Sequence, residues 1–323
     1  KYAFLVARAP GERTAAELLE TLRHEGTSRV FADMASTGLM QHLFPELVET
    51  VGLEQNSFHH LDVWSHTLLT LDELDGLLRA PAGVYPDHAD VMAERMGRRL
   101  QDLYPRAAFL RLAALYHDAG KAETFSRDET GRIHFHGHQE RSREAVLRLS
   151  ERLRLSRRAR DYLAATVGRH MDIGLSCKED VSPRRLRRMV ARLGEALPDV
   201  VLLSTADRLA TRGPLTTEES LARYVEVCRA LLREYRREEE LPPLLRGRDL
   251  LEELGMRQGP VVGEILREVR AAQMEGKVRS REEALELAGK LLASGSCAPR
   301  AEEGGHASYG CFPREDGEGE RGP

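Results

Sequence analysis

From Leu110 to Tyr116 the chain reads Leu-Arg-Leu-Ala-Ala-Leu-Tyr, apolar at nearly every position. This pattern predicts a helix buried almost all round rather than an amphipathic surface helix. Polarity then returns abruptly with His117-Asp118-Ala119-Gly120-Lys121, and the run Val200 to Leu209 repeats the pattern around one acid, Asp207. Elsewhere apolar residues recur at helical spacing. Thr14 with Glu17 reads as a capping box opening a helix through Leu22, and Thr27 to Ser36 forms a second. A short apolar segment, Gln41 to Val48, is interrupted at Pro45. Asp62 caps a helix running to about Arg79, with Trp64, Leu68, Leu71, Leu74 and Leu78 as its stripe. Further helices are predicted over Val91 to Leu103, Gln139 to Arg154, Arg160 to Met171, Pro183 to Leu197, Thr217 to Arg237, Gly247 to Leu254, Gly259 to Met274 and Ser280 to Leu292. Thr124-Phe125-Ser126 and Arg132 to Phe135 flank Asp128-Glu129-Thr130-Gly131, which is hairpin chemistry. The chain therefore reads as all-α with one small β-hairpin. Past Ser294 it is rich in Gly, Glu and Arg without periodicity, so 294–323 is expected to be a disordered tail.

Composition narrows the class. The 323 residues are 41% hydrophobic, with no run near the roughly 18 to 20 apolar residues that span a bilayer. A soluble, cytoplasmic protein with no membrane partner is expected. Cys177, Cys228, Cys297 and Cys311 are widely spaced and form no CxxC pair, which argues against a zinc ribbon and a disulfide scaffold. The net charge of -4 hides two basic stretches. Arg132 to Arg160 holds nine arginines against three glutamates, and Pro183 to Gly194 holds five arginines and no acid. Such stretches are either solvated helix faces or a surface for a phosphate backbone; on the second reading RNA affinity resides in the helices from Arg141 to Arg160 and Arg184 to Arg192, with Arg184, Arg185, Arg187 and Arg188 as binding residues. With five lysines against 43 arginines, Lys121 stands out as a place that wants a compact ammonium. The chain begins at Lys1 rather than Met, as a processed protein or a piece of a longer one would.

An imidazole and a carboxylate at the deep end of a buried helix cost several kcal/mol unless compensated, on the order estimated for unpaired buried polar groups. A divalent metal is the simplest compensation for His117 and Asp118. Lys121, three and four residues on, would bring its ammonium to the same end, where an anionic substrate needs it. His66 lies beside the stripe of its helix, where a lone histidine is more often a satisfied core residue unless partners converge on it. His134, His136 and His138 alternate along the hairpin, and Gly137 ends the strand to leave His138 at the start of the next helix. His170 ends another helix. Asp207 could ligate or pair with Arg208. Taken together, His66, His117, Asp118, His138, His170 and Asp207 occupy separate helices or helix ends and can converge in a bundle. Imidazole plus carboxylate suits Mg, Mn, Ni, Co, Fe or Zn.

This ordered set resembles the HD-domain superfamily of metal-dependent phosphohydrolases, in which His66, His117, Asp118 and Asp207 correspond to primary ligands and His138 and His170 to those of two-metal members. The resemblance extends further. Leu39-Met40-Gln41-His42-Leu43-Phe44-Pro45-Glu46-Leu47-Val48, with the helices before it, resembles the neck of bacterial CCA-adding tRNA nucleotidyltransferases and poly(A) polymerases. His60-Leu61-Asp62-Val63-Trp64-Ser65-His66-Thr67-Leu68 and Gly131 to His138 resemble their HD portion, and Asp249 to Pro260 with the helices after it their C-terminal body. The resemblance implies an HD-domain helical bundle with neck 1–57, HD domain 58–212 and C-terminal helical body 213–293. It implies a divalent metal ion and hydrolysis of a phosphoester, with Asp118 orienting or deprotonating water and Lys121 neutralising charge on phosphoryl oxygens. Implied substrates are 2′,3′-cyclic phosphates, 2′-nucleotides or the phosphorylated 3′ end of an RNA, with tRNA, and not DNA, as a further partner. The alternative is a tRNA-binding body for a catalytic head. The family's Gly-Ser motif and D-x-D pair have no counterpart before Phe58, so nucleotide addition is not expected from these residues alone. Gln139 and Ser142 stand where the family often has Glu and Gly, which bears on local packing.

Overall fold

The computed structural model describes residues 3–176, 181–274 and 276–294. It is all-α, with two small antiparallel hairpins, and divides into two compact units, Lys1–Pro242 and Pro243–Pro323.

In the first unit α1 (Gly11–Leu22), α2 (Thr27–Ser36), α3 (Met40–Leu43) and α4 (Pro45–Val48) precede α5 (Val63–Arg79). There follow α6 (Ala89–Gly97), β1 (Arg99–Gln101), β2 (Tyr104–Pro105), α7 (Arg106–Tyr116), α8 (Lys121–Thr124), β3 (Ser126–Arg127) and β4 (Ile133–His134). The unit closes with α9 (His138–Arg152), α10 (Arg157–Gly168), α11 (Asp172–Ser176), α12 (Pro183–Leu193), α13 (Leu197–Ala210) and α14 (Glu218–Glu240). Helix α7 is the axis of this unit. Leu110, Leu112, Ala113, Ala114, Leu115 and Tyr116 are fully buried, and the helix packs against α1, α5, α6, α9, α10 and α13. Two arginines of α7 are buried as well, each because a buried acid meets it. The Arg106 Nε donates to Asp199 Oδ1 at 2.7 Å, and the Arg111 Nε to Asp75 Oδ1 at 2.6 Å. Asp199 also accepts from Arg95 and from the Tyr162 hydroxyl, and Arg111 donates to the carbonyl of Leu22. These bonds satisfy groups that would otherwise be stranded in the core.

Helix starts follow local chemistry. Asp62 accepts from the amides of Trp64 and Ser65 and caps α5. Ser156 and Ser182 cap α10 and α12, and Thr217 caps α14 in a reciprocal box with Ser220. Thr14, in contrast, lies inside α1, where its hydroxyl donates to the Pro10 carbonyl. The predicted helix Val91 to Leu103 stops at Gly97, because the chain turns through Asp102 at φ 49° into a second hairpin, β1–β2. The predicted helix to Leu197 likewise ends at Leu193, with Gly194 at positive φ. The expected hairpin is present as β3–β4, with Ser126 opposite His134 and Arg127 opposite Ile133.

In the second unit α15 (Gly247–Glu253), α16 (Pro260–Met274) and α17 (Arg281–Ala293) enclose a core of Leu245, Leu250, Ile265, Val269, Val278, Ala284 and Ala288. Ser280 caps α17 through the amide of Glu283. The expected tail beyond Ser294 lies outside the described residues, as do Cys177, Cys297 and Cys311, whereas Cys228 is buried in α14.

Candidate metal centre

Six side chains separated by up to 141 positions meet at one end of α7. Helix α7 stops at Tyr116 and the chain turns through His117 to Gly120 before α8 begins at Lys121. That turn holds His117 and Asp118 at the mouth of the helix. Gly120 makes it possible: a Cβ there would stand 2.4 Å from the His138 carbonyl oxygen and 2.5 Å from the Ser142 nitrogen. Ser142 completes the contact by accepting the Gly120 amide at 2.9 Å. The first turn of α9 is thereby seated on the turn, with His138 as its first residue after Gly137 at φ 78°. His66 comes from α5, His170 from just past α10, and Asp207 from α13.

The ligand atoms fall into two groups, His66 with His117 and Asp207, and Asp118 with His138 and His170, each within 4.8 Å. Asp118 spans both. Its Oδ2 lies 3.2 Å from His117 Nε2 and 3.7 Å from His66 Nε2, while its Oδ1 lies 3.4 Å from His138 Nε2 and 3.9 Å from His170 Nε2. Asp207 Oδ1 lies 2.9 Å from His66 Nε2 and 3.8 Å from His117 Nε2. Lys121 Nζ contacts Asp118 Oδ2 at 2.6 Å.

The donor set fits a cation. Nδ1 of His117, His138 and His170 lies 2.7, 2.9 and 2.7 Å from the carbonyl oxygens of Ala114, Phe135 and Val167, which can only accept. Each Nδ1 therefore carries a proton, which leaves Nε2 as the ring atom that can meet an ion. Those three Nε2 atoms are buried and have no hydrogen-bond partner among the described residues. Three buried Nε2 atoms gathered with two carboxylates call for a positive charge among them.

The protein's own charges divide the group. Burial pushes His170 down to about 3, with His117 and His138 adding to the effect. Burial also lowers His138, against the pull of Asp118. Burial opposes protonation of His117 too, but Asp118, Asp207 and the Ala114 carbonyl lift it above its usual value. Asp118 is held well below the carboxylate range despite burial, by His117 and Lys121; Asp207 is held low despite burial, by the hydrogen bond from His66 and the nearby His117.

His134 and His136 stand apart: their rings stack at 5.2 Å, and His134 bonds Asp128 at 2.8 Å. Two neighbours escaped the sequence reading. Gln55 is buried, accepts from Lys121 Nζ at 2.7 Å and donates to the Leu61 carbonyl at 3.1 Å. His59 packs edge-on against His66 with ring centroids 4.7 Å apart, and burial with nearby Lys121 and His66 pushes it down to about 2. The only sequence signal for His59 is its place three residues before the Asp62 cap; for Gln55 there is none, because its partner is 66 positions away.

The arginine-rich stretches differ from one another. Arg141, Arg143, Arg148, Arg152, Arg154, Arg157 and Arg160 are each paired with an acid. On α12 Arg184 and Arg188 are exposed and Arg185 and Arg187 half-buried, and among the described residues no ion pair involves Arg184, Arg187 or Arg188. No helix among the described residues is long and apolar enough to cross a membrane.

Known families match the same regions. Residues 1–50 match the family described as the probable RNA and SrmB-binding site of polymerase A, and residues 89–212 match the HD domain. The HD match contains His117, Asp118, His138, His170 and Asp207; His66 reaches the centre from the helix before it. The chain is 35% identical over 275 residues to the A-adding tRNA nucleotidyltransferase of Deinococcus radiodurans, covering 84% of this chain and 56% of the relative. It is 35% identical over 278 residues to the CC-adding tRNA nucleotidyltransferase of Thermus thermophilus, covering 84% and 55%. A multifunctional CCA protein of Polaromonas naphthalenivorans is 28% identical over 56% of this chain and 36% of its own length. The alignment thus spans little more than half of the two more similar relatives. With an RNA-binding segment followed by an HD domain, and with similarity to A-adding and CC-adding enzymes along most of its length, the chain belongs to the body of the CCA-adding tRNA nucleotidyltransferase and poly(A) polymerase family.

Proposed function

We propose that this chain is the tRNA-binding body of a CCA-type tRNA nucleotidyltransferase. The observation that carries this reading is the alignment of 84% of the chain with enzymes named for adding A or CC to tRNA. Arg184, Arg187 and Arg188 support it, since among the described residues no ion pair involves them, and side chains not spent on acids are the ones available to phosphates. Binding of tRNA across a salt series tests it. A phosphate-binding surface loses affinity with a slope of about -0.7 per contact for single strands and about -0.9 for duplex DNA. Changing Arg184, Arg185, Arg187 and Arg188 together to Gln should weaken binding and flatten the slope. Changing Arg141, Arg148, Arg157 and Arg160 should do neither, because they already face acids. A quadruple α12 variant that matches the parent removes the proposed surface, and a parent that binds no tRNA removes the reading.

The buried His and Asp cluster favours a second activity in the same body, metal-dependent hydrolysis of a phosphoester on a nucleotide or an RNA 3′ end. His66, His117 and Asp207 would hold one divalent ion and His138 and His170 another, with Asp118 offering one oxygen to each group. A divalent ion in such a site supplies Lewis acidity, lowering the pKa of water from about 15.7 toward 7 and neutralising phosphoryl charge. Asp118 orients the attacking water and accepts its proton; Lys121, fixed by Gln55, presents its ammonium to the anionic phosphoester. Elemental analysis of untagged protein and a screen with 2′,3′-cyclic phosphates, 2′-nucleotides and 3′-phosphorylated RNA test this activity. Loss of turnover in Asp118→Asn, with the fold kept, is the expected result; equal turnover in both proteins rejects the mechanism.

A further inference from the structure

The centre is closed on most sides. Side chains of His66, His117, Asp118, His138 and His170 are at most 9% exposed, and Asp207 alone reaches 20%. Asp207 is thus the most exposed member of the group, and it bonds His66, the residue that His59 packs against. His59 lies edge-on against His66, within electrostatic reach of Lys121, Asp207 and Asp118. Its Nδ1 is buried and has no hydrogen-bond partner among the described residues. The loop bearing it is held in place: the Phe58 carbonyl accepts from the Gly213 amide at 2.7 Å and the Thr216 hydroxyl at 3.2 Å, and the Ser57 carbonyl from the Leu215 amide at 3.3 Å. The backbones approach so closely that a Cβ on Gly213 would fall 2.3 Å from the Phe58 carbonyl carbon. On the other side Gln55 ties the loop to Lys121.

We propose that His59 is a phosphate-binding residue of this centre, donating a ring N–H to a non-bridging oxygen of a phosphoester whose other oxygens face the ion-binding groups and Lys121. This rests on the metal-centre reading and adds the subsite through which that centre takes its substrate class. An imidazole on a doubly anchored loop, next to a ligand but outside both ligand groups, has the reach to touch phosphate without holding the ion.

The test uses the full chain loaded with Mn(II) and inorganic phosphate as the probe, read by phosphorus NMR line broadening and by Mn(II) titration. His59→Ala is expected to weaken phosphate binding at least tenfold and to leave Mn(II) affinity within twofold of the parent. His59→Asn and His59→Gln place an amide nitrogen near the positions of Nδ1 and Nε2, and one of them should recover much of the loss. If phosphate affinity is unchanged in His59→Ala, the subsite is wrong and the metal centre stands. If Mn(II) affinity falls with phosphate affinity, His59 serves the ion and the subsite is again wrong. A parent that takes up no Mn(II) overturns the metal-centre reading and the subsite with it.

Discussion

Asp118 is engaged on both oxygens, and this changes what its removal should do. A residue that was only a ligand could be truncated at little cost to the fold. Here Lys121 is itself buried, with Asp118 as its counter-charge and Gln55 as its only other polar contact among the described residues. Taking away one partner of a buried pair typically costs about 3–5 kcal/mol, because the survivor remains desolvated. Asp118→Ala should therefore destabilise the metal-free protein by roughly that amount in denaturant unfolding. Asp118→Ala with Lys121→Met should recover most of it; a double variant no more stable than the single one would show that the pair does not account for the loss. Gly120 makes a second residue-scale prediction. The Cβ of Gly120→Ala would meet two backbone atoms of α9, which cannot swing aside as a flexible side chain could. A cost of about 1–3 kcal/mol is expected from such overpacking. Because α9 carries His138, metal affinity should fall as well, and an alanine variant with parental stability and affinity would contradict the geometry.

Among the elements, those whose limits are set by neighbouring residues were legible in the sequence. Helix α5 has its Asp62 cap and its apolar stripe within 17 residues, and α2 runs as predicted from Thr27 to Ser36. The errors have the same physical origin in reverse. Thr14 and Glu17 satisfy the capping pattern, but the helix starts earlier, at Gly11 directly after Pro10, and takes Thr14 into its first turns. The β1–β2 hairpin was hidden because Arg98 to Gln101 offers no breaker, and its turn depends on Asp102 adopting a left-handed conformation. Of the candidate ligands, His117, Asp118 and Asp207 stand out against apolar runs, whereas His66, His138 and His170 drew notice only as members of an ordered set that resembles a known ligand pattern. Gln55, His59 and the Arg106–Asp199 and Arg111–Asp75 pairs were not legible, since their partners come from distant elements. Helices α15 and α17 illustrate the point and carry a pH prediction. Asp249 is held below its usual value by the Arg246 amide at 2.6 Å and by Arg281, whose guanidinium also meets Glu253. A lowered carboxylate contributes stability that is present above its unfolded pKa of about 3.9 and is lost as pH falls through the lower folded value. Amide hydrogen exchange in α15 and α17 should accelerate across that acid range, and Asp249→Asn should remove this dependence; an unchanged acid profile in the variant would assign the loss to another group.

At the scale of the whole molecule, the candidate ligands arrive on five separate stretches of chain, and the full set is assembled only when the bundle around α7 has closed. The centre is thus a late product of folding. Interactions missing from the folding transition state act on the escape from the native state and not on its formation. Divalent ions should accordingly slow unfolding while leaving the refolding rate nearly unchanged. Trp64, the single tryptophan and two residues from His66, provides the fluorescence signal for stopped-flow measurements with ion-loaded and ion-free protein. Faster refolding with ions present would mean that the ligands gather early. With the expected result, an ion bound at this centre acts as a clock on the protein's lifetime: the loaded chain persists through transient openings that would let the empty one come apart.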